Sequence, residues 1–233
     1  MKVVVLCGGK GSRLSEETRF KPKPMVKIGS KPILDHIVKI YAKYGYKDFI
    51  FLLGYKGHVI KKFFLKKNSN LNFKFINTGI NTGTGGRLLM IKKYFDYNEN
   101  FMLTYGDGLS NQNINRLVKY HLSHKKIATM TVVRPPARFG EVRLKGKKIK
   151  LFTEKPQISS GWINGGFFVF NYKIFNFIKK YSDMLEKKPL ERVSQQNQLM
   201  AYKHENFWQC MDTLRDKNLL NKLIKNNKAP WIK

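Results

Sequence analysis

The sequence of 233 residues is 42% hydrophobic, which is enough to bury a core within one domain over residues 1–233. Its two cysteines, Cys7 and Cys210, are too few for a disulfide scaffold or a four-cysteine zinc site and favour a reducing, cytoplasmic location. The apolar start breaks at Gly8, too early for a signal peptide, and no apolar stretch is long enough to span a membrane. Composition therefore argues against secreted disulfide-rich proteins and membrane-spanning proteins.

The formal net charge is +30, from 45 basic and 15 acidic residues, so a nucleic-acid-binding protein has to be considered. The lysines, however, lie in pairs along the whole chain, such as Lys61 with Lys62 and Lys125 with Lys126, and no basic arm or aromatic-basic stripe stands out. We therefore expect no nucleic-acid partner. The charge favours electrostatic steering of anionic substrates, an attraction that weakens as ionic strength rises.

Short apolar runs alternate with helical patterns from the N-terminus onward. The first long helix begins at Pro32, repeats apolar residues at helical spacing and ends at Gly45. Such alternation predicts an α/β protein with a Rossmann-like mixed, mainly parallel sheet that is flanked by helices. In chain order, we predict strands at 2–7, 48–53, 71–76, 101–105, 128–133, 141–144, 148–154 and 163–171, and helices at 32–45, 57–67, 84–95, 172–180, 190–200 and 214–225.

A glycine-rich loop follows the first predicted strand. Gly8, Gly9 and Gly11 allow the backbone to turn sharply and to bring main-chain N–H groups close to anionic oxygens. Taken alone, such a loop is most often an ordinary turn from a strand into a helix. It is neither a dinucleotide-binding fingerprint, which needs a glycine at the position of Leu14, nor a P-loop, which closes with Gly-Lys-Ser/Thr.

Basic residues turn this loop into a predicted phosphate site. Arg13 stands two residues after the last glycine, and Lys21 and Lys23 follow in the segment KPKPM. The prolines on both sides of Lys23 fix the backbone angle φ and stiffen the segment that carries this lysine. Because fixed positive charge and free N–H groups come together here, we expect the loop to hold a phosphorylated ligand.

Asp107 and Asp212 are the candidate metal ligands. Asp107 stands between two glycines directly after a predicted strand, where it can reach a bound cation or simply hydrogen-bond its own turn. Asp212 can act as its partner, or it can cap the helix that begins at Leu214. The carboxyl ends of parallel strands meet at one edge of a sheet, so the glycine loop and Asp107 should converge. Two carboxylates with substrate phosphates and water make a typical magnesium site.

Two further polar groups complete the predicted site. Thr82 and Arg87 belong to a loop of threonine and glycine and the helix after it, whose free N–H groups suit an anion, although threonine and glycine can simply cap the helix. Glu154, Lys155 and Asn164 supply the mixed donors and acceptors that a sugar phosphate needs, although each alone could belong to a turn. The five histidines show no zinc-binding spacing.

Taken together, these motifs resemble the sugar-1-phosphate nucleotidyltransferase family over the whole chain. The pattern GG-x-G-x-R-L with PKPM is specific for this superfamily, and SEET, KPKPM and MDTLRD are most similar to its glucose-1-phosphate cytidylyltransferase branch. The family has a GT-A-like fold, in which residues 1–126 would form the nucleotide-binding half and residues 127–233 the half that binds the sugar phosphate. The resemblance rests on GGKGSRLSEET, KPKPM, GYKGHVIKKFF, TGTGGRL, TYGDG, PPARFGEV, EKP, INGGFFVFN, FWQCMDTLRD and KAPW.

The resemblance also implies roles for single residues. Arg13 and Lys23 would be catalytic, and Asp107 and Asp212 would hold Mg²⁺. The nucleotide would contact Leu6, Cys7, Gly8, Gly9, Lys10, Gly11, Ser12, Arg13, Lys23, Thr82, Arg87 and Gly106. The sugar phosphate would contact Glu154, Lys155, Asn164 and Gly165.

The activity implied by the resemblance is transfer of a nucleotidyl group from CTP to glucose 1-phosphate, which releases pyrophosphate and forms a nucleotide sugar for polysaccharide biosynthesis. The protein's task would be to align two anions and stabilise the charge that develops. The same chemistry with UTP, dTTP or GTP and another sugar phosphate stays open, as does a non-catalytic anion- or nucleic-acid-binding protein. The connection between Ile76 and TGTGGRL is shorter than usual for the family, and a homo-oligomer is left open.

Overall fold

The structure is a computed structural model that describes residues 1–67, 69–135, 141–153 and 161–232. The strands in these ranges are β1 (Val3–Cys7), β2 (Lys27–Ile28), β3 (Lys31–Pro32), β4 (Asp48–Leu53), β5 (Asn72–Asn77), β6 (Asn100–Tyr105), β7 (Gly108–Ser110), β8 (Ala128–Val133), β9 (Glu141–Lys145), β10 (Lys148–Thr153), β11 (Ile163–Asn171), β12 (Leu199–His204) and β13 (Trp208–Cys210). The α-helices are α1 (Ser15–Thr18), α2 (Ile33–Ala42), α3 (Gly57–Leu65), α4 (Thr84–Leu89), α5 (Ile114–His124), α6 (Lys188–Gln195) and α7 (Leu214–Lys225). Within the same ranges, no helix is long and apolar enough to cross a membrane.

Seven strands form one central sheet in the order β12-β8-β11-β6-β1-β4-β5. Four of the six neighbouring pairs are parallel, and among the described strands of this sheet only β11 runs against its neighbours. The predicted mixed, mainly parallel sheet is therefore confirmed. Its strands come from both predicted halves of the chain, 1–126 and 127–233.

The sheet is covered by helices on both faces because its strands are apolar on both sides. In β1, Val3 and Val5 belong to one buried core while Val4 and Leu6 belong to the other. The first core is closed by α2, α3, α5 and α7, and the second by α4, α6 and the 3₁₀ turn Tyr172–Phe177. This double burial explains why the strands read as continuous apolar runs rather than alternating ones.

The largest error of the sequence prediction lies after residue 188. A single helix was expected over 190–200, but α6 ends at Gln195, Asn197 turns the chain with a left-handed φ of 54°, and β12 follows. β12 is an edge strand that pairs in parallel with β8. Its extended conformation depends on that partner, which lies far away in the sequence, so local pattern could not reveal it.

Other helices and strands differ from the prediction in their length or in the strand with which they pair. The helix predicted over 84–95 is the short α4 followed by a 3₁₀ turn at Lys92–Tyr94, and the helix predicted over 172–180 is 3₁₀ at Tyr172–Phe177. β9 and β10 form a separate antiparallel pair instead of joining the main sheet. Helix α5 was not predicted, although Asn113 caps it by accepting from the backbone N–H of Arg116.

Buried histidines give the fold a defined pH dependence. His121 lies between α5 and the sheet, with Nδ1 2.9 Å from Oγ1 of Thr129, and burial lowers its pKa to about 4. Burial also lowers the pKa of His36 and His204. A histidine whose folded pKa lies below its unfolded value of about 6.5 destabilises the fold as the pH falls below that value.

We therefore expect the free energy of unfolding to fall as the pH drops below about 6.5, with His121 contributing up to about 1.4 kcal/mol per pH unit between about pH 6.5 and pH 4. The variant His121→Gln cannot take up this proton, so its curve should be shallower in that window. Denaturant titrations at several pH values measure the slope. His58→Gln, at an exposed position, is the matched control, and equal slopes for the two variants would contradict the assignment to His121.

Candidate active site

One large cavity opens at the edge of the sheet where the parallel strands end. β1 delivers the loop that begins at Gly8, β6 delivers Asp107, and the antiparallel strand β11 begins there with Ile163 and Asn164. The cavity has a volume of about 1050 Å³. The predicted meeting of the glycine loop and Asp107 is confirmed, because both line this cavity.

Lys23 lies at the centre of the site, with its side chain buried against two carboxylates. Its ammonium group donates to Oδ2 of Asp107 at 2.6 Å and to Oδ1 of Asp212 at 2.5 Å. The lysine opens a 3₁₀ turn, Lys23–Met25, and Pro24 of that turn packs so closely on Gly106 that a Cβ on the glycine would lie 2.8 Å from Cγ of the proline. The KPKPM segment thus fixes Lys23 directly against the loop that carries Asp107.

Pairing of β7 with β13 brings the two aspartates together. Gly108 faces Cys210 across this antiparallel pair, and the backbone N–H of Met211 donates to the carbonyl oxygen of Asp107 at 2.9 Å. The cap of α7 is provided by Thr213 and Asp216, whose side chains form a capping box. Asp212 is therefore not the helix cap that was considered as its alternative role, and its carboxylate is available to the site.

The basic and acidic side chains of the site stabilise one another in their charged forms. Burial alone would raise the pKa of Asp212, but the hydrogen bond and charge of Lys23 and the charge of Arg13 hold it below its usual value. Burial alone would lower the pKa of Lys23, but Asp107 and Asp212 raise it. Lys23 is therefore a cation and Asp212 an anion at neutral pH.

Arg13 forms the outer part of this group. Its Nη1 atom lies 2.7 Å from Oδ2 of Asp212, and 71% of its side chain is exposed, so most of the guanidinium faces the open cavity. Gly11 begins the 3₁₀ turn that carries Arg13, with a left-handed φ of 68°, and a Cβ there would lie 2.8 Å from Cβ of Lys23. Both the backbone angle and the close approach require glycine at this position.

Arg87 is a buried cation that binds the ends of three loops. Its guanidinium donates to the carbonyl oxygens of Gly8 at 3.2 Å and Gly79 at 2.7 Å, and also to the carbonyls of Leu53 and Ile80 and the hydroxyl of Thr78. A Cβ on Gly8 would lie 2.0 Å from Nη1 of Arg87. The reason for glycine at position 8 is therefore the room it leaves for this arginine. The predicted contact of Arg87 with a nucleotide stays a prediction.

Three backbone N–H groups at the N-terminus of α4 already donate to another segment of the chain, whereas the sequence predicted that they would be free for an anion. The backbone N–H of Gly83 donates to the carbonyl of Tyr181, and those of Gly85 and Gly86 donate to the carbonyl of Asp183. The glycines permit this contact, since a Cβ on Gly86 would lie 1.8 Å from the carbonyl oxygen of Tyr181. The TGTGG motif therefore serves close packing between two backbone segments.

The INGG motif at the start of β11 places Asn164. The pairing register of β11 with β8 shifts between Asn164 and Phe168, and Gly166 in this bulge has a left-handed φ of 78°. The bulge directs the Asn164 amide to Tyr105, to whose hydroxyl it donates at 3.2 Å. A Cβ on Gly166 would lie 2.6 Å from the ring of Tyr105, so this glycine, too, is required by a close approach.

The structure gathers most of the predicted site residues around the cavity. Lys21 does not contribute, because it pairs with Glu17 at 2.9 Å. The lining includes Leu6, Cys7, Gly8, Gly9, Gly11, Arg13, Lys23, Thr82, Arg87, Gly106, Asp107, Asn164 and Asp212. Lys10, Ser12 and Gly165 are not part of the lining, and Glu154 and Lys155 lie outside the described residues.

Several lining residues were missed by sequence reasoning. Tyr105, Glu186, Trp208 and Arg215 face the cavity. Glu186 lies in a lysine-rich stretch without turn or motif signals, so nothing in the sequence marked it. Tyr105 lies within the motif TYGDG, and Trp208 and Arg215 lie within FWQCMDTLRD, so the motifs themselves were the available signal.

The thiols of the site are not nucleophiles. Burial raises the pKa of Cys7 far above its usual value, and burial with the charge of Asp212 raises the pKa of Cys210 to about 12. Both groups therefore stay protonated at neutral pH.

Comparison with known proteins identifies the family. The model of the nucleotidyl transferase family matches residues 2–215, so the chain belongs to this family. It is 43% identical to a glucose-1-phosphate cytidylyltransferase of Salmonella typhimurium, with 99% of this chain and 98% of the relative covered. The glucose-1-phosphate cytidylyltransferase of Salmonella typhi gives the same identity and coverage. The family resemblance found in the sequence is thereby confirmed.

Solved structures support the fold. A UDP-glucose pyrophosphorylase complexed with UDP-glucose superimposes with a TM-score of 0.76, covering 97% of this chain and 98% of that chain at 16% identity. At this identity the similarity establishes the architecture and leaves the substrates open. The predicted nucleotidyltransferase fold is confirmed.

Nucleotidyl transferases generally use a divalent metal, and the donor set here fits such an ion. Asp107 and Asp212 both approach the ammonium nitrogen of Lys23, so the two carboxylates converge on a region that favours positive charge, and a metal ion would bind beside the lysine. Within the described ranges no group of three or more His, Cys, Asp or Glu side chains could hold a metal ion. An ion bound by these two carboxylates would therefore complete its shell with substrate phosphate oxygens and water.

We expect Arg87→Met to lower the free energy of unfolding by about 2–4 kcal/mol, because the carbonyls that converge on the guanidinium lose their buried donor. Denaturant titration measures this loss. The exposed Arg19 provides the matched variant Arg19→Met, which should change stability by less than about 0.5 kcal/mol. Similar losses for both variants would show that the contacts of Arg87 do not support the loops.

Proposed function

We propose that this protein transfers a cytidylyl group from CTP to glucose 1-phosphate, which releases pyrophosphate and yields the nucleotide sugar. The observation that carries the chemistry is the convergence of Lys23, Arg13, Asp107 and Asp212 in the lining of one cavity. The substrates are proposed from the two Salmonella relatives, whose names specify glucose 1-phosphate and a cytidylyl group.

The proposed reaction is an in-line displacement at the α-phosphate of CTP. A phosphate oxygen of glucose 1-phosphate forms the new P–O bond, the bond between the α- and β-phosphates breaks, and pyrophosphate leaves with the electron pair. The attacking phosphate is already an anion at neutral pH, so no general base is needed. The protein holds two anions close together and stabilises the charge that develops.

Each charged residue has a part in this proposal. Lys23 and Arg13 would neutralise the phosphoryl group and the triphosphate, and Asp107 and Asp212 would hold Mg²⁺. The bound ion supplies electrostatic stabilisation of the phosphate oxygens. Gly8, Gly9 and Gly11 would let the nucleotide approach the end of β1, and Asn164 would contact the sugar phosphate.

Two further properties are proposed on chemical grounds. The free thiols of Cys7 and Cys210 support a cytoplasmic location. The shared central sheet supports a single nucleotidyltransferase domain over 1–233, with a nucleotide half at 1–126 and a sugar-phosphate half at 127–233.

The proposed function is tested by pyrophosphate release over a panel of CTP, UTP, dTTP and GTP with several sugar 1-phosphates. We expect the highest kcat/KM for CTP with glucose 1-phosphate, loss of turnover with a chelator, and recovery with added Mg²⁺. A higher kcat/KM for another pair of substrates would support nucleotidyl transfer but would reassign the substrates. Release by no pair would leave a non-catalytic anion-binding protein.

Lys23→Ala should lower kcat by about a hundredfold or more while KM changes only a few fold, because charge stabilisation acts on the transition state. The matched control is Lys21→Ala, two residues away in the same segment, which removes a lysine that pairs with Glu17 outside the cavity lining. This control should retain near-normal kcat. An effect of Lys23→Ala confined to KM would reassign Lys23 to ground-state binding.

A further inference from the structure

A chain segment after β11, residues 181–186, joins the two predicted halves of the site. Its carbonyls accept from the N–H groups at the start of α4, and the backbone N–H of Leu185 donates to the hydroxyl of Thr84 at 2.8 Å. The segment ends with Glu186, whose side chain lines the cavity.

The carboxylate of Glu186 is fixed from both sides. Tyr105 donates its hydroxyl hydrogen to Oε1 at 2.6 Å, and Thr84 donates to Oε2 at 2.6 Å. Because the amide of Asn164 donates to the Tyr105 hydroxyl, a directed chain of hydrogen bonds runs from Asn164 through Tyr105 to Glu186. Three side chains thus determine where this carboxylate stands.

The backbone contacts already fasten the segment, so the carboxylate is not needed for that purpose. Each oxygen accepts one of the two hydrogen bonds above, whereas a carboxylate has about four lone-pair sites. Glu186 is exposed to solvent at the cavity, so acceptor positions remain available there. A fixed anionic acceptor with unused capacity suits a donor group on a ligand.

Apolar side chains also line the cavity that contains this acceptor. Ile80, Ile163 and Met184 line the same cavity and are 51%, 41% and 41% exposed. Mostly apolar walls with a few fixed polar groups are typical of sites that bind small molecules, where the polar groups set orientation. A carboxylate repels phosphates, so on a phosphorylated substrate it suits an uncharged donor such as the hydroxyl of a sugar ring.

We propose that Glu186 accepts a hydrogen bond from a ring hydroxyl of a substrate and thereby selects for that hydroxyl. The hydroxyl belongs either to the ribose of the nucleoside triphosphate or to the sugar of the sugar phosphate. This assignment rests on the proposed function. Tyr105 and Thr84 act as positioning residues for the carboxylate.

The test measures kcat/KM of the wild type and Glu186→Gln with CTP and glucose 1-phosphate, and then with single-deoxy analogues of each. Glutamine keeps the shape but turns one acceptor oxygen into a donor. We expect a loss of about ten- to a hundredfold with the complete substrates, the range for a hydrogen bond to a charged group. With the one analogue that lacks the recognised hydroxyl, wild type and variant should be equally slow.

A 2′- or 3′-deoxy-CTP that abolishes the difference assigns the contact to the ribose, and a deoxyglucose 1-phosphate that does so assigns it to the sugar. Equal impairment of Glu186→Gln with every analogue, or no impairment at all, would overturn the proposal. Glu191→Gln, at an exposed position on α6, is the matched control and should behave as wild type. Wild-type protein that releases no pyrophosphate with any pair would instead refute the proposed function.

If Glu186→Gln lowers the melting temperature markedly, Tyr105→Phe provides a second variant. It leaves the carboxylate in place but removes one of the two hydroxyls that fix it. With the complete substrates, Tyr105→Phe should lower kcat/KM by only a few fold. The analogue that abolishes the difference for Glu186→Gln should also abolish this smaller difference. A defect of Tyr105→Phe that is the same for all analogues would count against the proposal.

Discussion

The ammonium of Lys23, shared by Asp107 and Asp212, is the contact on which the site depends. Two carboxylates that face one point repel each other, and burial makes that repulsion stronger, so a cation between them is needed for the arrangement to persist. Three separate segments of the chain supply the residues of this contact. The proline frame carries the lysine, the end of β6 carries one aspartate, and the β7–β13 pair sets the other beside it.

This arrangement also explains how a strongly basic chain can hold carboxylates where phosphates would bind. Lys23 and Arg13 balance the aspartates, and the outward-facing part of Arg13 leaves positive charge for a ligand. A cation that is already fixed needs no reorganisation when charge develops on a bound phosphoryl group, which is the physical basis of its proposed catalytic role.

A second constraint is the buried guanidinium of Arg87. Its carbonyl and hydroxyl partners lie at the ends of β1, β4 and β5. The arginine therefore holds the start of the glycine loop against the ends of the two neighbouring strands. The TGTGG motif and the 181–186 segment add backbone hydrogen bonds to the same region. Gly8, which first suggested phosphate binding, and Gly83 and Gly86 of the threonine-glycine loop are required by close packing.

The sequence by itself determined the succession of most strands and helices along the chain, because apolar periodicity is a local signal. The alternation of strands and helices then implied a mainly parallel sheet with helices on both faces, and the edge at which Gly8 and Asp107 would meet. The sequence also determined the family. Only the tertiary structure decided that β12 is a strand, that the N-terminus of α4 is covered by carbonyls, and that Glu186 lines the cavity. These features depend on partners distant along the chain, whose approach is set by packing and leaves no local pattern in the sequence.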